Sequence, residues 1–250
     1  MIDKKTFNKI KKDYGTCSSW AIWKEVGETP KSNMEDLNIL DPQQNPNLLS
    51  ELKPNVVFVG LNTSKDISGL EPFSNFHPTN PFANDYKTRY ALKDTELWGG
   101  YMTDIIKKHE ELHSLSVVKH LRKYPEVVDE NIETFRKELK DLGTKNPTII
   151  AFGNAAYSIL TRHLKDEYKI IKVYHYSYRI NKENYKEHFQ SKTTSKSDKG
   201  NNKGGMSSQN KIHQYLNNLS NEDSLFETII VSANDKLVKL FLNNEIKFTD

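Results

Sequence analysis

Four short apolar runs stand out of a polar, lysine-rich chain, and each ends on polar residues suited to chemistry. Val56-Val57-Phe58-Val59-Gly60-Leu61 leads into Asn62-Thr63-Ser64. Gly100-Tyr101-Met102 leads into Thr103-Asp104. Thr148-Ile149-Ile150-Ala151-Phe152 ends on Gly153-Asn154, and Ile170-Ile171-Lys172-Val173-Tyr174 ends on His175-Tyr176-Ser177. Continuous apolar runs of this length, separated by helical patterns, fit strands buried on both faces of a parallel sheet. The fold class expected is therefore α/β. In an open sheet of that class, ligands bind outside the carboxyl ends of the strands. Asn62, Asp104, Asn154 and His175 are accordingly expected to converge on one crevice.

At 250 residues the chain can bury a substantial core. Twelve Tyr, eleven Phe and three Trp argue against disorder despite the high charge. A net charge of +3 is too small to point to nucleic acid by itself, so any such argument rests on local clustering. The single cysteine, Cys17, excludes an internal disulfide and any four-cysteine zinc or iron–sulfur site. No window is apolar enough for a membrane span, and residues 1–12 are too charged for a secretory signal. The expected location is the cytoplasm.

Residues 1–53 read as an N-terminal cap on the main domain, with Phe7, Ile10, Trp20, Ile22 and Trp23 as packing groups. The first strand is expected over residues 55–61. A long excursion rich in Phe, Asn and Pro follows, and irregular segments of that length usually bind or cover ligands. Val127, Val128, Ile132, Phe135, Leu139 and Leu142 recur at helical spacing and end at Gly143, a good C-terminal stop. A second helix is expected to start on Asn154 as its cap. Residues 191–211 carry five lysines against one aspartate and only Met206 as a sizeable apolar group. Such a stretch is either a solvated flexible insertion or a mobile basic arm for phosphates. Residues 212–250 are expected to complete the same domain, with a strand over 228–231 and Leu237, Leu240 and Phe241 on a helix.

Taken in order, these segments resemble the uracil-DNA glycosylase superfamily over about residues 54–190. Gly60-Leu61-Asn62-Thr63-Ser64 resembles the first signature loop, and His175-Tyr176-Ser177 the second. Tyr101-Met102-Thr103-Asp104-Ile105-Ile106-Lys107 resembles the strand whose Asn reads the base edge. Pro72-Phe73-Ser74-Asn75-Phe76-His77 sits where the family carries its base-stacking aromatic. The resemblance implies a three-layer α/β/α domain with a short, mostly parallel central sheet, of the kind without an iron–sulfur cluster. Two departures stand out. Thr63 and Tyr176 replace the signature prolines, removing a fixed φ from both loops, and Asp104 replaces Asn.

The resemblance further implies a monofunctional DNA glycosylase, a monomer with DNA as its partner and without cofactor or metal. Such an enzyme hydrolyses the N-glycosidic bond of a flipped base. Positive charge develops on the sugar and negative charge on the departing base, so fixed dipoles and a positioned water do the work. Asn62 would orient the water and His175 would stabilise the leaving base. Leu61, Phe76, Asp104 and Asn154 would bind the base, with Phe73 an equal candidate for stacking. Ser64, Ser177 and Arg179 would hold the flanking phosphates, and Tyr178 or Arg179 would enter the stack as a wedge. An ionised Asp104 only accepts hydrogen bonds, which suits an exocyclic amine better than uracil. That favours a cytosine-type base, most sensibly a modified one such as occurs in phage DNA, over plain uracil. Asp104 could instead cap or pair with Lys107.

Two other functions compete. The same fold could be a catalytically silent DNA-binding module, which the missing prolines would favour. His109-Glu110-Glu111-Leu112-His113 matches H-E-x-x-H, the zinc helix of metallopeptidases, with a third ligand to come from His120, Glu126 or Glu130. Its lysine- and serine-rich flanks argue for an exposed segment and against that function.

Overall fold

The computed structural model describes residues 2–194, apart from Lys65, Asp66, Ser68, Pro81 and Lys108. The elements run α1 (Lys4–Tyr14), β1 (Ser18–Trp20), a 3-10 turn (Leu37–Leu40), α2 (Leu48–Glu51), β2 (Lys53–Asn62), α3 (Tyr86–Leu92) and β3 (Gly100–Ile106). They continue with α4 (Ser114–Lys123), α5 (Pro125–Asp141), β4 (Thr148–Phe152), α6 (Gly153–Leu164), β5 (Lys169–Val173) and α7 (Lys182–Thr193). Among the described residues the strands form one five-stranded sheet in the order β1-β3-β2-β4-β5. β3, β2, β4 and β5 are mutually parallel, and β1 runs antiparallel to β3.

Alternation along the buried strands divides the core into two layers, since successive side chains point to opposite faces. Val57, Val59, Leu61, Tyr101, Ile105, Ile149 and Ala151 pack with residues of α1, α4, α5 and α6. Val56, Phe58, Met102, Ile150, Phe152 and Val173 pack with Ala91 and Leu92 of α3 and Tyr185 and Phe189 of α7. The result is the expected three-layer α/β/α arrangement. The edge strand β5 is only partly covered and carries Lys169 and Lys172, charges that discourage a further strand from pairing there.

Three local expectations change. The N-terminal segment does more than cap the core, because β1 joins the sheet with Trp20 opposite Tyr101. Its ring meets Tyr101 edge-on at 5.0 Å. Asn154 does not cap α6; Phe152 is the capping position and Asn154 lies inside the first turn. Residues 191–193, assigned to the flexible insertion, are the last turn of α7. The expected strand over 228–231, the helix bearing Leu237, Leu240 and Phe241, and the rest of the basic insertion lie outside the described residues.

Candidate active site

The chain leaves β2 for β3 on one side, and β4 lies on β2's other side. The connections therefore part between the carboxyl ends of β2 and β4, which is where open α/β sheets bind ligands. The candidate residues sit around this point.

Gly60 stands opposite Asp104 in the β2–β3 register. A Cβ at residue 60 would come within 2.2 Å of Asp104 Oδ1, so the carboxyl group occupies the space a side chain would fill. Asp104 is buried, at 5% exposure. Its Oδ2 accepts a 3.0 Å hydrogen bond from Asn75 Nδ2. Burial pushes its acidity up to about 6, against the opposing pull of the Asn75 hydrogen bond and the Lys107 charge. The alternative in which Lys107 pairs with the Asp104 carboxylate fails on geometry. Lys107 Nζ donates to the backbone oxygen of Asp104 at 2.8 Å and to Thr103 Oγ1 at 2.7 Å. Its ion pair, at 2.6 Å, is with fully buried Glu138. Glu138 also accepts from Tyr101 and Thr103 at 2.7 and 2.9 Å, so the charge beneath the site is well partnered.

Asn62 ends β2 and is partly buried. Its Nδ2 lies 2.8 Å from Thr63 O, 2.9 Å from His109 O and 2.9 Å from Glu111 O. The amide pins the loop after β3 and leaves Oδ1 as the atom able to accept from a water. Leu61 is buried in the layer with α4, α5 and α6, so its backbone is what it could offer a base. Phe73 has φ 74° and its ring packs against Phe7 at 5.5 Å, in that same layer. Phe76 instead joins the opposite layer with Phe58, Met102 and Phe152, the layer that Tyr176 packs against. Phe76 is thus the aromatic on the Asp104 side of the sheet.

His175 follows β5, partly exposed. Gly153 at the end of β4 has φ +83°, and a Cβ there would lie 3.5 Å from His175 Cβ, so the two strand ends approach closely. The Ser177 backbone N–H donates to His175 Nδ1 at 3.2 Å, and the Ser177 hydroxyl lies 2.7 Å from the same atom. A backbone donor can only meet an unprotonated nitrogen, so the ring hydrogen sits on Nε2. Burial pushes the imidazole down to about 4, leaving it neutral at physiological pH. Tyr176 packs against Phe152 at 5.6 Å, and its phenol is raised by burial and by nearby Asp85 and Asp104. That interaction links the turn after β5 to Asp104. The turn closes without proline, through Tyr178 N donating to His175 O at 2.8 Å.

The remaining candidates are peripheral. Asn154 is exposed and accepts from Lys172 at 3.0 Å, so its side chain lies outside the buried group around Asp104. Ser64, Ser177 and Arg179 are exposed, as phosphate contacts would need to be. Tyr178 is partly buried, with its ring 4.4 Å from that of Tyr174. His109, Glu110 and His113 do not form a zinc helix. They lie in the loop before α4, His113 holding the capping position, and His109 stacks on His120 at 4.2 Å. No cluster of three possible metal ligands occurs among the described residues.

Asn75 was not singled out beforehand, though it lies inside the Phe-rich peptide; an asparagine between two aromatics has no periodic signature. Cavities among the described residues include one of about 250 Å³ beside Lys31, Met34 and Tyr86 and one of about 310 Å³ beside Trp23, Lys53 and Trp98. Neither is lined by Asn62, Asp104 or His175.

No family profile matches the chain, and no solved structure matches it. A stretch of 39 residues, 16% of the chain, is 94% identical to part of 1-deoxy-D-xylulose 5-phosphate reductoisomerase of Pelagibacter ubique (strain HTCC1062). The chain spans 10% of that protein's length, too small a share to carry an activity across. No helix among the described residues is long and apolar enough to cross a membrane.

Proposed function

We propose that the chain is a DNA glycosylase of the uracil-DNA glycosylase kind, hydrolysing the bond between a flipped base and its sugar. The observation that carries this reading is His175, a neutral imidazole whose Ser177 contact leaves Nε2–H as the donor. A departing pyrimidine gathers negative charge on its carbonyl oxygen, and a fixed neutral donor stabilises that charge without first having to lose a proton. Asn62 Oδ1 would accept from the attacking water, placing it beneath the sugar, and Phe76, 3% exposed on the Asp104 side of the sheet, would have to shift to present a ring face to the base. The water's oxygen bonds to C1′ as the glycosidic bond breaks. The base leaves as an anion held at His175; the proton shed by the attacking water passes to solvent, and the base takes one up from solvent in turn.

Asp104 supports a cytosine-type base. Neutral, its carboxyl has one acceptor and one donor, which match the N4 amine and N3 of cytosine, or N3–H and O4 of uracil. Ionised, it accepts only; uracil N3–H lies between two carbonyl oxygens that repel a carboxylate, whereas one hydrogen of the cytosine N4 amine points clear of N3, so the amine is the better match. Above its midpoint of about 6 the amine-bearing base is favoured. Unmodified cytosine would be a toxic target, so a modified cytosine such as occurs in phage DNA is the proposed substrate, and defence against such DNA the proposed role.

The test is release of base from oligonucleotides bearing uracil, cytosine, hydroxymethylcytosine or its glucosylated form, detected by alkaline cleavage at the abasic site. Cleavage confined to an amine-bearing base, and converted to uracil preference by Asp104→Asn, supports the reading. A catalytically silent DNA-binding module is favoured by one observation, the commitment of the Asn62 amide to three loop carbonyls. DNA binding with no abasic product on any substrate would select it.

A further inference from the structure

The turn that presents His175 also carries an aromatic stack which the proposed chemistry does not use. His188 of α7 lies face to face with Tyr174, ring centroids 3.5 Å apart and 5° from parallel. Tyr178 lies against Tyr174 as well, at 4.4 Å and 23°. Two near-parallel rings this close must take opposite faces of Tyr174, so the order is His188, Tyr174, Tyr178. The inner end is fixed by hydrogen bonds: Tyr174 N donates to His188 Nε2 at 3.2 Å, and the Tyr185 hydroxyl to Tyr174 O at 3.1 Å. The outer end is fixed through its backbone, with Lys87 Nζ donating to Tyr178 O at 2.9 Å and Tyr178 N to His175 O at 2.8 Å.

Tyr178 keeps partial exposure, between exposed Ser177 and Arg179. One of its faces is spent on Tyr174, which is unsuitable for a wedge that must lie between two base pairs. A ring already held on one side is well suited to receive a single base on the other, with little ordering left to do. The surroundings are basic: Lys87 reaches the Tyr178 carbonyl, and Lys172 and Lys192 lie near enough to His188 to disfavour its protonation. Lys182 and Lys186 of α7 lie over the Tyr90 ring, at 4.6 and 5.1 Å, with Lys182 also paired to Glu183.

We propose that Tyr178 is a stacking platform for an unpaired base adjacent to the extracted nucleotide, so that the chain acts on single-stranded or locally opened DNA. The proposal rests on the glycosylase reading for the position of the extracted nucleotide. Stacking on such a platform strengthens binding by roughly 5- to 150-fold per base.

The test uses the full chain and a single strand carrying a tetrahydrofuran abasic analogue, with 2-aminopurine on one side of it or the other. The wild type is expected to quench 2-aminopurine on one side. Tyr178→Ala should abolish that quench and weaken single-strand binding roughly 10-fold, whereas Tyr178→Phe, which keeps the ring, should retain both. The same quench and affinity in Tyr178→Ala, or tighter binding to a fully paired duplex than to the single strand, would overturn the platform. Abasic-site formation by the wild type reads the glycosylase activity separately. Cleavage with no effect of Tyr178→Ala sinks the platform alone, and quenching without cleavage sinks the glycosylase reading alone. Absence of DNA binding overturns both.

Discussion

Asp104 shows how one buried carboxyl can set both specificity and stability. Its midpoint is raised from 3.8 to about 6, so between those values the folded protein holds a proton the unfolded chain has lost. Stability attributable to Asp104 therefore falls as pH rises from about 4 to 6, by about 3 kcal/mol in all. Asp104→Asn removes that penalty and is expected to raise the neutral-pH melting temperature, measured by thermal denaturation at pH 5 and 7.5. A gain larger at pH 5 than at 7.5 would contradict the burial argument. Asn75 works in the opposite sense, since its hydrogen bond stabilises the ionised form. Asn75→Ala should move the Asp104-dependent inflection of the pH–rate profile upward, while a downward or absent shift would show that the contact does not act on the carboxyl. Gly60→Ala has no room beside Asp104 Oδ1 and should cost both activity and stability.

Among the elements, the loop joining β3 to α4 depends on one side chain. Asn62 presents its amide to three carbonyls, and an aspartate there would turn an acceptor toward them. Asn62→Asp should destabilise the fold by roughly 1–3 kcal/mol and speed amide exchange across residues 109–113. Exchange unchanged in that loop would mean the amide is not what holds it. Much of this scale was legible in advance. The apolar runs ending at Leu61, Met102, Phe152 and Tyr174 marked the four parallel strands; β2, β3 and β4 are apolar because they are covered on both faces, whereas β5 is an edge strand and only partly covered. Ser18-Ser19-Trp20 was not recognisable as a strand, since a three-residue edge element is defined by its pairing with β3 and has no pattern of its own. The H-E-x-x-H match, discounted on its flanks, fails for the converse reason. Its spacing has meaning only on a helix, and the helix begins after His113. Asn62, Asp104 and His175 were found through their places at strand ends, whereas Asn75 and the His188–Tyr174–Tyr178 stack depend on tertiary contacts.

At the scale of the whole molecule, acid sensitivity should come from histidines. His77, His175 and His188 are each pushed down to about 4, mainly by burial, and so remain neutral in the folded state. As pH falls from 6.5 toward 4 the unfolded chain takes up protons the folded chain refuses, and stability drops. Asp104 acts oppositely in much of that window, but one carboxyl stands against three imidazoles. Chemical denaturation is therefore expected to show a net loss of stability between pH 6.5 and 4.5, lessened in His77→Gln. The Lys107–Glu138 pair is the other global element, tying β3 to α5 through a fully buried carboxylate. Glu138→Ala strands the lysine and should cost about 3–5 kcal/mol. Retention of wild-type stability would mean that Lys107 can discharge or reach water.

Asn62 and His175 are proposed to flank a glycosidic bond. Purified wild type, Asn62→Ala and His175→Ala would be incubated with the modified-cytosine and uracil substrates, and abasic sites counted after alkaline cleavage. Abasic product is expected from the wild type, with a loss of at least 100-fold in His175→Ala, as for removal of a fixed donor to a developing anion, and with Asn62→Ala also impaired. Product formed equally by all three proteins, or by none of them while DNA remains bound, would contradict that placement.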